Sequence, residues 1–357
     1  MTLKTIFAVP VTLAVLISGC SSISPQAETT KFVSVSTLAG SGSTGSVDGK
    51  GNEARLNRPH GLTTTMAGAI VFADRGNNQV RQLRADGLVS TLAGSGKAGF
   101  AEGKGTSAEF NEPIAVVADH QGNIYVADRN NHRIRRITPD GVVKTLAGNG
   151  EAGFADGPSH KAKFNQPYGV ALDDAEITLY VADYLNHAIR KIDLLSDEVS
   201  TLAGNGKAGF GDGSGNAASF NQPYNLKNDG HGSLIVPDQN NHAIRRVGMN
   251  GVVTTLAGSG SAGYADGKGR AAKFNNPTGA VVASDGSVLV ADRNNHRVRR
   301  VAPDGTVTTI AGTGEAAFAD GAAMEAKFNR PLDIDVSRDG KLVVSEENNH
   351  RIRAISP

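Results

Sequence analysis

The chain has 357 residues, with 36 Lys and Arg against 35 Asp and Glu. Loss of an N-terminal leader containing Lys4 leaves 35 of each, which argues against general binding to nucleic acid or anionic membrane, since that needs excess positive charge. The single cysteine excludes an intramolecular disulfide and a cysteine-rich zinc site. The length is ample for a large core, a chain near 300 residues burying roughly 75% of its extended surface.

Residues 1–20 read MTLKTIFAVPVTLAVLISGC. Lys4 is a positive leader start, and Thr5 to Ile17 is an apolar stretch shorter than the roughly 20 residues of a membrane-spanning helix. Ile17-Ser18-Gly19-Cys20 resembles the lipobox of bacterial lipoproteins. The resemblance implies a signal peptide over 1–19, acylation (palmitate among the chains) at Cys20, and a polar tether over 20–31. Ser21 in place of Asp implies, by the same resemblance, the outer membrane, with the protein facing the periplasm or the surface.

From residue 32 onward one unit is written six times. TLAG occurs at Thr37, Thr91, Thr145, Thr201 and Thr255, and TIAG at Thr309. An apolar residue followed by Asn-x-Pro begins at Leu56, Phe110, Phe164, Phe220, Phe274 and Phe328 in the same register. A third landmark is an acid ahead of a turn and alternating arginines: Asp74, Asp128, Asp183, Asp238, Asp292 and Glu346. Each unit divides into four short strands. In the second they are Ile114 to Ala118, Ile124 to Ala127, His132 to Ile137 and Val142 to Leu146, separated by Gly, Asn and Pro-Asp-Gly turns. The expected fold is all-β: a six-bladed β-propeller of four-stranded antiparallel blades over 32–357. The sixth unit ends at Pro357 without a fourth strand, and Phe32 to Leu38 is a fourth strand with no blade ahead of it. The N-terminal strand is therefore expected to complete the C-terminal blade. The run Pro167 to Ile192, of the form PxGVA…YVADxxNHRIRRI, resembles the NHL repeat, and the long linkers resemble its bacterial long-linker form.

The repeat supplies its own control. A side chain present in every copy serves the fold, and one that varies at a ligand-facing position is a functional candidate. His132, His187, His242, His296 and His350, with Gln79 in the first copy, stand too far apart around a sixfold ring to meet within about 2.1 Å of one zinc. They are read as structural hydrogen-bonders. The arginines Arg81, Arg135, Arg190, Arg245, Arg299 and Arg353 match the acid column and are read as pairs tying blades together. The linker acids Asp48, Glu102, Asp156, Asp212, Asp266 and Asp320 are read as turn caps, since no Dx[DN]x[DN]G calcium loop is present.

The variable positions lie where the innermost strand starts and on the turn after each landmark acid. They form a chemically mixed rim at one channel mouth. The candidate binding residues are Tyr168, Tyr184, Tyr224 and Asn225, the arginines Arg75, Arg129 and Arg293, and the acids Asp333 and Glu347. The reading favoured is a non-catalytic module holding an envelope protein, peptide or glycan through the long-linker face, with no cofactor and no nucleic acid. The alternative is a metal-dependent hydrolase or lyase of the lactonase or amidating-lyase type, implied by six-bladed relatives. Asn225, Asp333 and Glu347 would be its oxygen ligands and His60 its base. No nucleophile elbow or HExxH motif accompanies them.

Overall fold

A computed structural model describes residue 2 and residues 31–357. The leader and Cys20 lie outside the described residues. Blade 2 shows how one unit folds. Pro113–Ala118, Ile124–Asp128, Arg133–Ile137 and Val142–Ala147 pair antiparallel in chain order. Gly122 and Gly141, both at φ 86°, make the turns that end the first and third strands. The second turn is a 3-10 helix over Arg129–Asn131, closed by His132 in the left-handed region at φ 52°. Six such sheets form the ring.

Each sheet has five strands, one more than expected. The fifth is a two-residue piece of linker, such as Gly103–Lys104, paired outside Val142 and Val143. The linker runs around the outside of the blade it is about to enter and covers that blade's open edge. Closure follows the expected register: Val35 pairs with Ile355, Ser36 with Ala354 and Thr37 with Arg353. Gly321–Ala322 then covers the N-terminal strand, Ser34–Ala39.

The core lies between blades. Phe110, Phe164, Phe220, Phe274, Phe328 and Leu56 are fully buried, each stabilising by roughly 1.5–3 kcal/mol relative to exposure. Phe110, for example, is buried in one cluster with Val71, Val80, Val126 and Ile137, which joins blades 1 and 2.

The repeated polar residues divide their work differently from the expectation. Arg135 Nη1 donates to Asp128 Oδ2 at 2.8 Å, and both belong to blade 2, so the pair does not bridge blades. Its remaining donors go to the linker carbonyls of Glu109 (3.2 Å) and Ala101 (2.9 Å). Asp128 also accepts from the Asn111 backbone and the Asn131 amide at 2.8 Å each. The column therefore rivets each linker to its own blade. In five copies the linker acid is its third member rather than a turn cap, as where Asp48 meets Arg81 at 2.7 Å and accepts from the Thr91 backbone, whereas Glu102 accepts from the Thr145 backbone at 2.8 Å without meeting Arg135.

Binding between units falls to the histidines. His132 Nδ1 accepts from the Gln166 backbone at 3.1 Å, and His350 Nδ1 from Arg58 at 3.1 Å across the ring closure. The first-copy equivalent is Asn78, not Gln79. It holds the same left-handed position at φ 52°, and its Oδ1 accepts from the Glu112 backbone at 3.0 Å.

Candidate functional site

The six inner strands line a central channel, and the residue after each Asn-x-Pro lies at its mouth. Register position decides depth. The start of each strand contributes His60, Ile114, Tyr168, Tyr224, Thr278 and Leu332, all buried. One residue further on, glycine alternates with larger residues: Gly61, Ala115, Gly169, Asn225, Gly279 and Asp333. A Cβ on Gly169 would stand 2.7 Å from Asn225 Cα, and one on Gly279 2.6 Å from Asp333 Cα. The glycines thus let neighbouring inner strands approach closely enough to bring Asn225 and Asp333 together.

The structure gathers the sequence candidates into two layers rather than one rim. The upper layer is aromatic on one side and ionic on the other. Tyr168 stacks on Tyr184 with ring centroids 4.1 Å apart and meets Tyr224 at 4.7 Å. Tyr224 is 5% exposed, and its hydroxyl lies 2.7 Å from His60 Nε2. Burial, then the charges of Arg75, Arg293 and Arg129, hold His60 well below the usual imidazole range, so it is neutral. Tyr184 is half-buried, its hydroxyl 2.9 Å from both Gln222 Oε1 and Gln239 Oε1. Burial pushes its pKa up to about 12.

The ionic arc runs over blades 2, 1, 6 and 5. Glu112 bridges Arg129 and Arg75, the latter at 3.1 Å. Glu347 bridges Arg75 at 3.6 Å, Arg293 at 2.7 Å and Arg330 at 3.7 Å. Burial raises the Glu347 carboxyl, but Arg293, then Arg75 and Arg330, more than offset this and hold it below its ordinary value. Arg129 completes the join to the aromatic side, donating to Gln166 Oε1 at 3.0 Å and lying over the Tyr168 ring.

Sequence reasoning missed the outer ring of this face. The x of each Asn-x-Pro is a left-handed residue, Arg58, Glu112, Gln166, Gln222, Asn276 and Arg330, with φ between 52° and 59°. The signal was available: x is polar in every copy yet chemically variable. With that ring included, five arginines face two glutamates around the mouth, so a chain near neutrality carries local positive charge there.

Asn225 and Asp333 form the second layer, beneath the aromatics. Asn225 Nδ2 donates to Asp333 Oδ1 at 2.8 Å across the channel, and Asp333 Oδ2 accepts from the Leu62 backbone at 2.8 Å. Asn225 Oδ1 takes its own neighbour's N–H, from Leu226, and the inner strand of blade 4 shrinks to Lys227–Asn228. Burial raises the Asp333 carboxyl above its ordinary value. Glu347 belongs to the arginine arc above and does not join these two. Among the described residues no cluster of three or more His, Cys, Asp and Glu is arranged to hold a metal ion.

Residues 97–266 match the Teneurin NHL domain, and 274–301 and 328–355 match the NHL repeat. NHL repeat-containing protein 2 of Gallus gallus is 32% identical over 286 residues, covering 69% of this chain and 38% of its own length. Protein SUPPRESSOR OF QUENCHING 1, chloroplastic, of Arabidopsis thaliana is 29% identical over 278 residues, covering 73% of this chain and 26% of its own length. The chain thus spans less than half the length of these curated relatives. Among solved structures, an auxiliary nutrient binding protein from Bacteroides thetaiotaomicron superposes with a TM-score of 0.71 at 18% identity, covering 92% of this chain and 77% of that one. At that identity the likeness establishes a shared fold. Sequence matches, six sheets and the closing strand agree: the chain belongs to the NHL-repeat family and is a six-bladed β-propeller.

Proposed function

We propose that this protein is a lipid-anchored extracytoplasmic binding module that holds an acidic envelope protein, peptide or glycan against the channel mouth. The observation that carries this reading is the split ring. Tyr168, Tyr184 and Tyr224 are packed against one another beside an arc of arginines; Tyr168 and Tyr224 stand where other blades of the same repeat hold Ile114, Thr278 and Leu332, and Tyr184 where they hold Arg75, Arg129, Arg293 and Glu347. A solved neighbour described as an auxiliary nutrient binding protein is consistent with such a role. Binding is favoured over hydrolase or lyase chemistry because Glu347 is engaged by arginines and Asn225 by Asp333.

The anchor would be Cys20, in the outer membrane. Phe32 lines one cavity with Val336 and Arg338, at the end of the ring opposite the mouth, so a tether ahead of it would leave from that lower side. Residues 20–31 could span at most about 40 Å, and the mouth would face away from the bilayer.

Affinity capture from envelope extracts tests the reading, comparing wild type with Tyr168/Tyr184/Tyr224→Ala and with Arg293→Gln/Arg330→Gln. The second variant leaves the aromatic packing in place, and circular dichroism verifies that both are folded. Loss of the same partner from both folded variants is expected. A partner list unchanged by either overturns the proposal.

A further inference from the structure

The far end of the channel carries its own cavity, separated from the mouth by the Asn225–Asp333 layer. Its volume is about 440 Å³, and blades 1, 2, 3, 4 and 6 all contribute to its wall. That is within the range of small-molecule sites.

The repeat again acts as a control. At one register position of the inner strand, blades 2, 3 and 5 carry Val117, Ala171 and Val281, whereas blades 1, 4 and 6 carry Thr63, Lys227 and Asp335. The three polar replacements line the same cavity. Lys227 Nζ lies 3.4 Å from Asp335 Oδ1 and 3.3 Å from the Leu62 carbonyl, both long contacts for an ammonium with three protons to donate. Asp335 Oδ2 accepts from the Thr64 backbone at 2.7 Å, leaving Oδ1 turned to Lys227. The Thr64 hydroxyl is buried with no hydrogen-bond partner. Apolar residues of the Val281 kind would fill these positions with no desolvation cost, so stability does not account for the polar set.

We propose that this cavity binds a neutral, hydroxyl-rich ligand of mono- or disaccharide size. Such a ligand can donate to Asp335 and accept from Lys227 through adjacent hydroxyls while pairing the Thr64 oxygen. Its C–H faces would rest on Val117, Leu172 and Val336. The wall carries Asp173, Asp174, Glu176 and Asp335 against Lys227 and Arg338, so anions are opposed at the rim, while at the floor Lys227 and Asp335 offset each other and leave no net charge for a ligand to match. Asp335 and Asp333 raise the Lys227 pKa against the effect of burial, so that ammonium keeps its charge. This inference is independent of the mouth.

The test is calorimetric titration and saturation-transfer NMR of the full chain with D-glucose, D-galactose, D-mannose and maltose, with D-glucosamine and D-glucuronate as charged comparators. At least one neutral sugar is expected to bind with a Kd at or below about 1 mM. Thr64→Val should weaken it about tenfold, Thr64→Ser should restore it, and Lys227→Met should weaken it further, with thermal melting confirming that each variant is folded. Thr64→Val leaves the Lys227–Asp335 pair in place, so a mere brace across the channel would be indifferent to it. The proposal is overturned if no neutral sugar reaches that affinity, if a charged comparator binds more tightly than its neutral parent, or if Thr64→Val leaves the Kd unchanged.

Discussion

Replacing Arg135 with Met removes the charge but keeps most of the volume of a fully buried side chain. Three consequences follow from its contacts. The Asp128 carboxylate loses its cation, and the carbonyls of Glu109 and Ala101 lose a donor, all in the interior. Breaking one partner of a buried pair costs about 3–5 kcal/mol. Part of that cost can be relieved by protonation. Burial already raises the Asp128 carboxyl above its ordinary value while Arg135 opposes the rise, so the variant's carboxyl titrates higher still. A raised acid is penalised above its folded pKa, and the penalty fades as pH falls through it. Urea unfolding followed by circular dichroism should therefore show a deficit of about 3–5 kcal/mol at pH 8 that narrows at pH 5. Hydrogen exchange should show the loss first at the Gly99 and Ala101 amides, whose linker is no longer riveted. A deficit below about 1 kcal/mol, or one that widens on acidification, would refute the account of the buried column.

His132→Asn copies the solution found at Asn78. Burial, then Arg133 and Arg129, lower the His132 pKa, so its contribution is present above about 6.5 and lost as pH falls through the folded value. Melts should place the variant within about 1 kcal/mol of wild type at pH 8 and above it at pH 5. Val35→Asp puts an unpaired charge where Val35 is 2% exposed, opposite Ile355. It should cost about 3–5 kcal/mol, with exchange protection lost first at Arg353 and Ile355. Cys20→Ser should abolish palmitate labelling and move the protein from the membrane to the soluble fraction; persistence in the membrane would remove the anchor from the proposal.

The ring was legible because three landmarks recur in one register, and because an unpartnered first strand and a missing last one can only complete each other. The fifth strand was not, since Gly103–Lys104 is too short to show a period and pairs only because an edge waits beside it. The candidate residues were named correctly as variable positions, but their depth was not. Tyr168 lies at the start of Pro167–Leu172 and Tyr224 just ahead of Lys227–Asn228, and both are buried against one another. Gln79 was misplaced for Asn78 because Asn-Asn-Gln was aligned by side-chain type, whereas the left-handed turn position sets the equivalence. The lower cavity was not legible in the sequence for a related reason. Lys227 and Asp335 are 108 residues apart and meet only once the circle is drawn.

The pairing of Ser34–Ala39 with Arg351–Ser356 also fixes an order of assembly. Within the ring, the strand made ahead of all six blades must wait for the last strand of the sixth. Five modules can knit locally as they appear, while the sixth stays open until Arg351–Ser356 has been made, with loop-closure entropy opposing its docking. The seam is thus the last part to form and a natural place for neighbouring unfinished molecules to exchange strands. A cell making this protein would need to keep that waiting strand apart from its copies for as long as translation of the ring lasts.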